Sequence, residues 1–277
     1  MKKTTAKQDK AAERGKEAGA GQFFAEERKS IILKKLEEDS KILVQDLSVL
    51  FDVSPATVRT DLRELEKTGQ LLRTHGGAIP TGKAGLELNT AQKEVANKAE
   101  KKRIAREALK HVEDGDSIAI DTGTTTYEFA ATLSERKNLT IVTNDISIAA
   151  LLEENTDHGI ILIGGALRRG FHCTVGAKAI ESLADINVDK AFLAANAFTF
   201  ERGFSTPSIE HAEIKKRFRE MSLQSFMLMD SHKIGHIAFY TFAMPEDIDV
   251  FITDSNISGK VASAIAASAD GLELVKV

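Results

Sequence analysis

Hydrophobic positions in the first third of the chain recur at helical spacing in short blocks. Ile31, Ile32, Leu33 and Leu36 stand among good helix formers from Glu26 onward and predict a first helix. Residues 42–44 read as a short extended link, and Leu47, Leu50 and Phe51 predict a second, short helix ending at Asp52-Val53. A third helix opens at Ser54-Pro55, where serine can accept from the orphan amides of the first turn and proline is tolerated at the first helical position. Val58, Leu62 and Leu65 fall at i, i+4 and i+7 and are expected to point inward. Ala56, Thr57, Arg59, Thr60 and Arg63 are left on an outer face that is short, polar and basic. Gly69-Gln70 ends this helix, and residues 71–79, with Gly76-Gly77 at their centre, read as a small hairpin.

The pattern changes after Pro80. Residues 80–88 have no clear period, then a charged helix is expected over about 92–111. Short apolar runs at 117–121, 139–143, 160–163, 190–194, 225–230 and 250–254 then alternate with helical stretches. Such alternation predicts an α/β class domain: a doubly wound, mostly parallel sheet covered by helices on both faces. The division expected is a flexible basic arm at 1–25, a winged helix-turn-helix domain at 26–80, a linker at 81–91 and an α/β domain at 92–277.

Composition narrows the class. Hydrophobic residues at 42% and charged residues at 28% are ordinary for a soluble globular protein, and no apolar run approaches the roughly 20 residues that span a bilayer. The first 25 residues lack the apolar middle of a signal peptide, so a cytoplasmic location without membrane attachment is expected. The single cysteine, Cys173, can form neither an internal disulfide nor a multi-cysteine zinc site. A net charge of −4 argues against a protein that coats nucleic acid, but residues 1–25 hold six Lys/Arg against three Asp/Glu, an excess that could attract phosphate.

A capped helix after a tight turn, with small polar and arginine side chains outward, suits entry into the major groove. Arg59 or Arg63 could reach guanine acceptors, Thr57 or Thr60 a phosphate or a thymine methyl, with Ser54 and Ala56 at the helix start. Arg73 and His75 on the wing would touch the flanking backbone or minor groove. Read alone, the same pattern also fits a surface subdomain with solvated charges. Residues 53–66 (VSPATVRTDLRELE) and 71–78 (LLRTHGGA) resemble the DNA-binding region of the DeoR-type bacterial regulators. The resemblance extends over all but roughly the first 25 residues, and implies double-stranded operator DNA as a partner.

In the second half, Asp121-Thr122-Gly123-Thr124-Thr125-Thr126 follows the first strand and opens a helix, where amides and hydroxyls could hold a phosphate or merely cap. It is neither a P-loop nor a dinucleotide fingerprint. Asn144, Gly164-Gly165, Asn196 and Lys233 stand at other strand ends, which in open α/β sheets line the ligand crevice. The family's sensor domain resembles sugar-phosphate isomerases, which implies a phosphorylated sugar or related effector. Residues 121–126, 142–144, 164–165 and 230–235 carry that likeness. The chain departs from the pattern at Ala194-Ala195-Asn196-Ala197 and at His232, so the cleft is reshaped.

Other signals are weaker. His232 and His236, or His172 beside Cys173, lack the spacing of a metal site, and neither metal nor cofactor is assigned. Cys173 has no evident base and reads as an inert thiol. The helix beginning Glu210-His211 reads as a solvated face, with Glu213 or Lys215 at the cleft edge. No catalytic residue is assigned and the protein is not expected to be an enzyme. The competing reading is a sugar-phosphate isomerase or hydrolase-like enzyme with an appended DNA-binding module, using Asp121, Asp145, Asp230 or His232 as acid and base. A ligand-responsive repressor must bring two reading heads together, so a homo-oligomer, dimer or tetramer, is expected.

Overall fold

The structure is a computed structural model and describes residues 23–39, 42–67, 70–74, 76–80, 90–257, 259–268 and 271–277. The expected arm as far as residue 22, Gly69, His75 and residues 81–89 of the expected linker lie outside the described residues. The chain forms two compact units that divide between residues 82 and 83. No helix among the described residues is long and apolar enough to cross a membrane.

The N-terminal unit comprises α1 (Ala25–Asp39), β1 (Ile42–Leu43), α2 (Val44–Phe51), α3 (Pro55–Lys67), β2 (Leu71–Thr74) and β3 (Gly77–Pro80). The apolar stripes read from the sequence meet in one core: Ile32 and Leu36 of α1, Leu47 and Phe51 of α2, and Val58, Leu62 and Leu65 of α3. The expected link at 42–44 is corrected in two ways. Val44 already belongs to α2, and Ile42-Leu43 pair antiparallel with β3, giving a three-stranded sheet ordered β1-β3-β2. That pairing needs glycine at 77, because a Cβ there would sit 1.7 Å from the Ile42 carbonyl oxygen.

The charged helix expected over 92–111 is two helices, α4 (Thr90–Val95) and α5 (Lys98–Leu109), so the expected linker gives way to helix at Thr90. The break falls at Asn97, whose φ of 51° places it in the left-handed region that asparagine tolerates better than most residues. There follow β4 (Ser117–Ile120), α6 (Thr124–Ala130), β5 (Thr140–Thr143), α7 (Ile146–Asn155), β6 (Gly159–Leu162), β7 (Ala166–Arg168), β8 (Cys173–Val175) and α8 (Ala177–Ser182). The chain continues through β9 (Val188–Ala194), β10 (Ala197–Thr199), β11 (Gly203–Thr206), α9 (Ile209–Glu220), β12 (Ser222–Leu228), β13 (Tyr240–Ala243), β14 (Val250–Thr253), α10 (Gly259–Ser268) and β15 (Glu273–Lys276).

Seven of these strands form one parallel sheet ordered β15-β14-β12-β9-β4-β5-β6. All six apolar runs became strands of it. Both faces are buried, as the strand period requires: Phe192 of β9 packs on Phe129 and Phe226 at 4.2 and 4.7 Å on one side. Its neighbours Ala191 and Leu193 join Phe218, Met227 and Phe251 in the core of the other side. The sheet is built outward from β4 in two directions, through β5 and β6 and then through β9, β12, β14 and β15. The order therefore reverses between β4 and β9, the place where an open α/β sheet leaves a crevice at its carboxyl edge. A small antiparallel sheet ordered β10-β11-β13 and the hairpin β7-β8 flank that edge.

Candidate functional site

Ser54 caps α3 as expected, its Oγ accepting from the Thr57 amide at 3.1 Å. Ala56, Arg59, Thr60 and Arg63 are exposed on one face of α3 and Thr57 is half-buried beside them. Thr57 shares its hydroxyl hydrogen with Ser54 at 2.9 Å, and the Thr60 hydroxyl donates to the Ala56 carbonyl at 3.1 Å. The two arginines thus carry the reach of this face. Arg73 is engaged: its Nε donates to Glu66 Oε2 at 2.6 Å and its amide to Glu66 Oε1 at 3.0 Å, tying the wing to the end of α3.

One feature of this unit escaped the sequence reading. Asp61, on the same helix, is buried, and Arg28 of α1 clasps it through Nε at 2.7 Å and Nη2 at 3.0 Å. The third guanidinium nitrogen donates to the Phe23 carbonyl at 2.7 Å. Two charged side chains 33 residues apart leave no local period, so only the assembled core makes the pair visible.

In the C-terminal unit, an open cavity of about 470 Å³ lies where the ends of β4 and β9 part. Thr122, Gly123, Thr124 and Thr125 line it from the β4 side, Asn196 from the β9 side, and Lys233 from the turn after β12. Thr125 is 1% exposed and its hydroxyl has no hydrogen-bond partner. Lys233 donates to the Ala195 carbonyl at 2.9 Å and stands 3.8 Å from Asp230. Burial alone would raise the Asp230 carboxyl, but Lys233, His232 and Lys101 overcome it and hold it well below the usual carboxylate range.

The remaining expected residues lie off the lining. Asp121 sits beneath the loop, where it accepts from the Ala194 amide at 3.0 Å and pairs with Lys215; its other oxygen has no partner. Thr126 turns its hydroxyl to the Gly123 carbonyl at 2.9 Å, and Asn144 donates to the Thr174 carbonyl at 2.9 Å, stitching the end of β5 to β8. Gly164 and Gly165 border β7. A Cβ on Gly165 would lie 2.7 Å from the Val175 carbonyl, so that glycine serves strand contact rather than ligand contact. The Thr122 hydroxyl donates to Asp145 at 2.6 Å. Burial raises the Asp145 carboxyl even though Thr122 and the Ile148 and Ser147 amides favour its charge.

Lys215 and His211 correct the reading of their helix as a solvated face. They are four apart on α9, on the side that carries Ala212, Ile214 and Phe218 into the core, and only 2% and 4% exposed. That shared face was the signal in the sequence. Lys215, one of the two residues expected at the cleft edge, neutralises Asp121 and lines the cavity, and His211, which was not expected there, lines it too. Phe171 lines it too, with the Arg168 guanidinium 3.8 Å above its ring. His211 Nε2 lies 3.2 Å from Cys173 Sγ, so the cysteine does have an imidazole beside it. Burial, aided by Asp145 and Asp121, nevertheless pushes that thiol up to about 12, which leaves it protonated and unreactive. Thr90 and Lys93 of α4 complete the wall.

Comparison with known proteins accounts for both units. Residues 28–81 match the DeoR-like helix-turn-helix domain and residues 96–255 the DeoR C terminal sensor domain. The HTH-type transcriptional regulator GlpR of Haloferax volcanii is 36% identical over 250 residues, covering 89% of this chain and 98% of its own. The transcriptional repressor AccR of Agrobacterium fabrum is 31% identical over 231 residues, covering 83% and 90%. Among solved structures, ribose 5-phosphate isomerase A of Methanocaldococcus jannaschii aligns with 50% of this chain and 55% of its own, at 19% identity and a TM-score of 0.38. With a DNA-binding helix-turn-helix and a sensor domain that each match the family over their length, the chain belongs to the DeoR family of transcriptional regulators.

Proposed function

We propose that this regulator represses sugar or carbohydrate metabolism genes and that a phosphorylated sugar or related metabolite sets its affinity for the operator. The lining of the switch-point cavity carries the reading. Lys93, Lys215 and Lys233 line it together with Thr122, Thr124 and Thr125, and among the described residues no carboxylate is in the lining. Ammonium and hydroxyl donors gathered without a competing acid match a phosphate group. Asn196 supplies a further polar atom, while Asp121, Thr126, Asn144, Gly164 and Gly165 shape the loops around Gly123 and behind it.

On the DNA side, Arg59 and Arg63 read guanine edges, with Ala56 and Thr57 allowing close approach and Thr60 touching the backbone. Arg73 and His75 hold the flanking DNA, and Ser54 keeps the helix start in place. Two such heads in a dimer, or four in a tetramer, meet half-sites a helical turn or more apart. The metabolite acts by weighting two arrangements of these heads, through its differential affinity for them. The repressor sense draws support from the relative AccR. A non-catalytic role draws support from the acids that turnover would use: Asp121 is held by Lys215, and Asp145 spends one oxygen capping α7 and the other on Thr122.

Fluorescence anisotropy of labelled DNA from the protein's own upstream region, at fixed salt, tests this directly. Tight binding that shifts with phosphorylated sugars and not with their unphosphorylated counterparts is expected. Turnover of a sugar phosphate, with no binding to that or neighbouring promoter DNA, would overturn it.

A further inference from the structure

The two segments that match the family end at residue 81 and resume at residue 96. Helix α4 lies between them, yet Thr90 and Lys93 of this helix line the cavity. We propose that α4 is a wall of the ligand site, with Lys93 as a direct contact to the anion, and that a bound anion fixes α4 against the rest of the C-terminal unit. The inference rests on the reading of the cavity as an anion site.

Both ends of α4 are held by the surroundings of the cavity. At its start the Thr90 amide donates to the Gly170 carbonyl at 3.1 Å, next to Phe171, and the Lys93 ammonium lies 5.4 Å from the centre of the Phe171 ring. At its end the buried Lys101 ammonium donates to the carbonyls of Lys93 and, at 2.7 Å, Ala96. Asn97 follows, and its side-chain amide donates to Asp230 at 3.0 Å, the carboxylate that also stands beside Lys233. Lys93, Lys101 and Lys233 are close enough that Lys101 is discharged more easily for their presence, burial being the larger cause. An anion between Lys93 and Lys233 removes that like-charge repulsion and draws α4 onto the site. In chain order α4 directly follows residues 81–89, so the element that contacts the ligand is also the one that receives the chain from the DNA-reading unit.

The test uses the full chain and inorganic phosphate as the probe, with binding measured calorimetrically and amide hydrogen exchange followed along residues 90–97, 122–126 and 231–233. Saturating phosphate is expected to slow exchange in all three stretches. Lys93→Gln is expected to weaken phosphate binding about tenfold, as for loss of one charge-assisted hydrogen bond, and Glu94→Gln, on the exposed neighbour, to leave it unchanged. If Lys233→Gln weakens phosphate binding while Lys93→Gln matches wild type and exchange in 90–97 does not respond, α4 is not a wall of the site and the anion reading alone survives. If the wild-type chain binds no phosphate and protects none of the three stretches, the anion reading fails and the proposal with it.

Discussion

Thr125 buries a hydroxyl that finds no partner among the described residues, on the wall of the cavity proposed to take an anion. An unsatisfied buried hydroxyl lowers stability, and replacing it by a methyl of the same shape is neutral to stabilising. Thr125→Val is therefore expected to raise the unfolding free energy of the unliganded protein by about 0–2 kcal/mol in a urea titration. The same variant should bind a phosphorylated ligand more weakly. A loss of stability without ligand would mean that the hydroxyl is already satisfied by the protein. Asn144 leaves its Oδ1 unpaired too, but it lies off the lining, so it carries no such double expectation.

Helix α3 is held in place chiefly by the apolar stripe of the N-terminal core and by the Arg28 clasp on Asp61. Removing one partner of a buried ion pair leaves the other uncompensated at a cost of about 3–5 kcal/mol, comparable to the whole stability of a unit this small. Arg28→Met is expected to lower the thermal midpoint of the N-terminal unit far more than that of the C-terminal unit, and to abolish DNA binding. Arg28→Met with Asp61→Leu should recover most of the midpoint, because a well-packed apolar pair can replace a buried ionic one. At this scale the sequence was most informative where the signal is local: Ser54-Pro55 opening a helix, the i, i+4, i+7 stripe behind it, and the six apolar runs of the parallel sheet. It was least informative where an element is short or gains its partner from afar. The strands of two to four residues at β1, β7, β8, β10 and β15 show no period, and nothing near Asn97 announces the break that Lys101 and Asp230 stabilise. His211 read as surface, and Lys215 as no more than a cleft-edge candidate, because their partners Cys173 and Asp121 lie 38 and 94 positions away.

For the whole molecule, the buried Lys101 makes stability depend on pH. Burial, with the like charges of Lys233 and Lys93, lowers this ammonium from 10.5 to about 8. Between those values the unfolded chain keeps a proton that the folded chain has lost, so unfolding takes up a proton and the folded state gains stability as pH rises. The gain across that window has an upper limit of about 3 kcal/mol. Denaturant titrations of the C-terminal unit at pH 7.5 and 10.5 should show the rise in wild type and a flatter profile in Lys101→Met; equal slopes would place the titration elsewhere. The fold class, the two-unit plan and the capped helix Pro55–Lys67 were legible because each follows from patterns of neighbouring residues. The pocket was legible on the loop side and at Lys215, whereas α4, His211 and Phe171 reach it through the fold.

Cys173 has a consequence of another kind. It is the only thiol in the chain, buried and pushed up to about 12, and both peroxide and alkylating reagents act on exposed thiolates. Thiol chemistry therefore gives oxidants no hold on the folded protein, and sulfur oxidation falls to its five methionines. For the same reason a Glu94→Cys variant would present a sole exposed thiol to a dye, on a protein that has no tryptophan to overlap it.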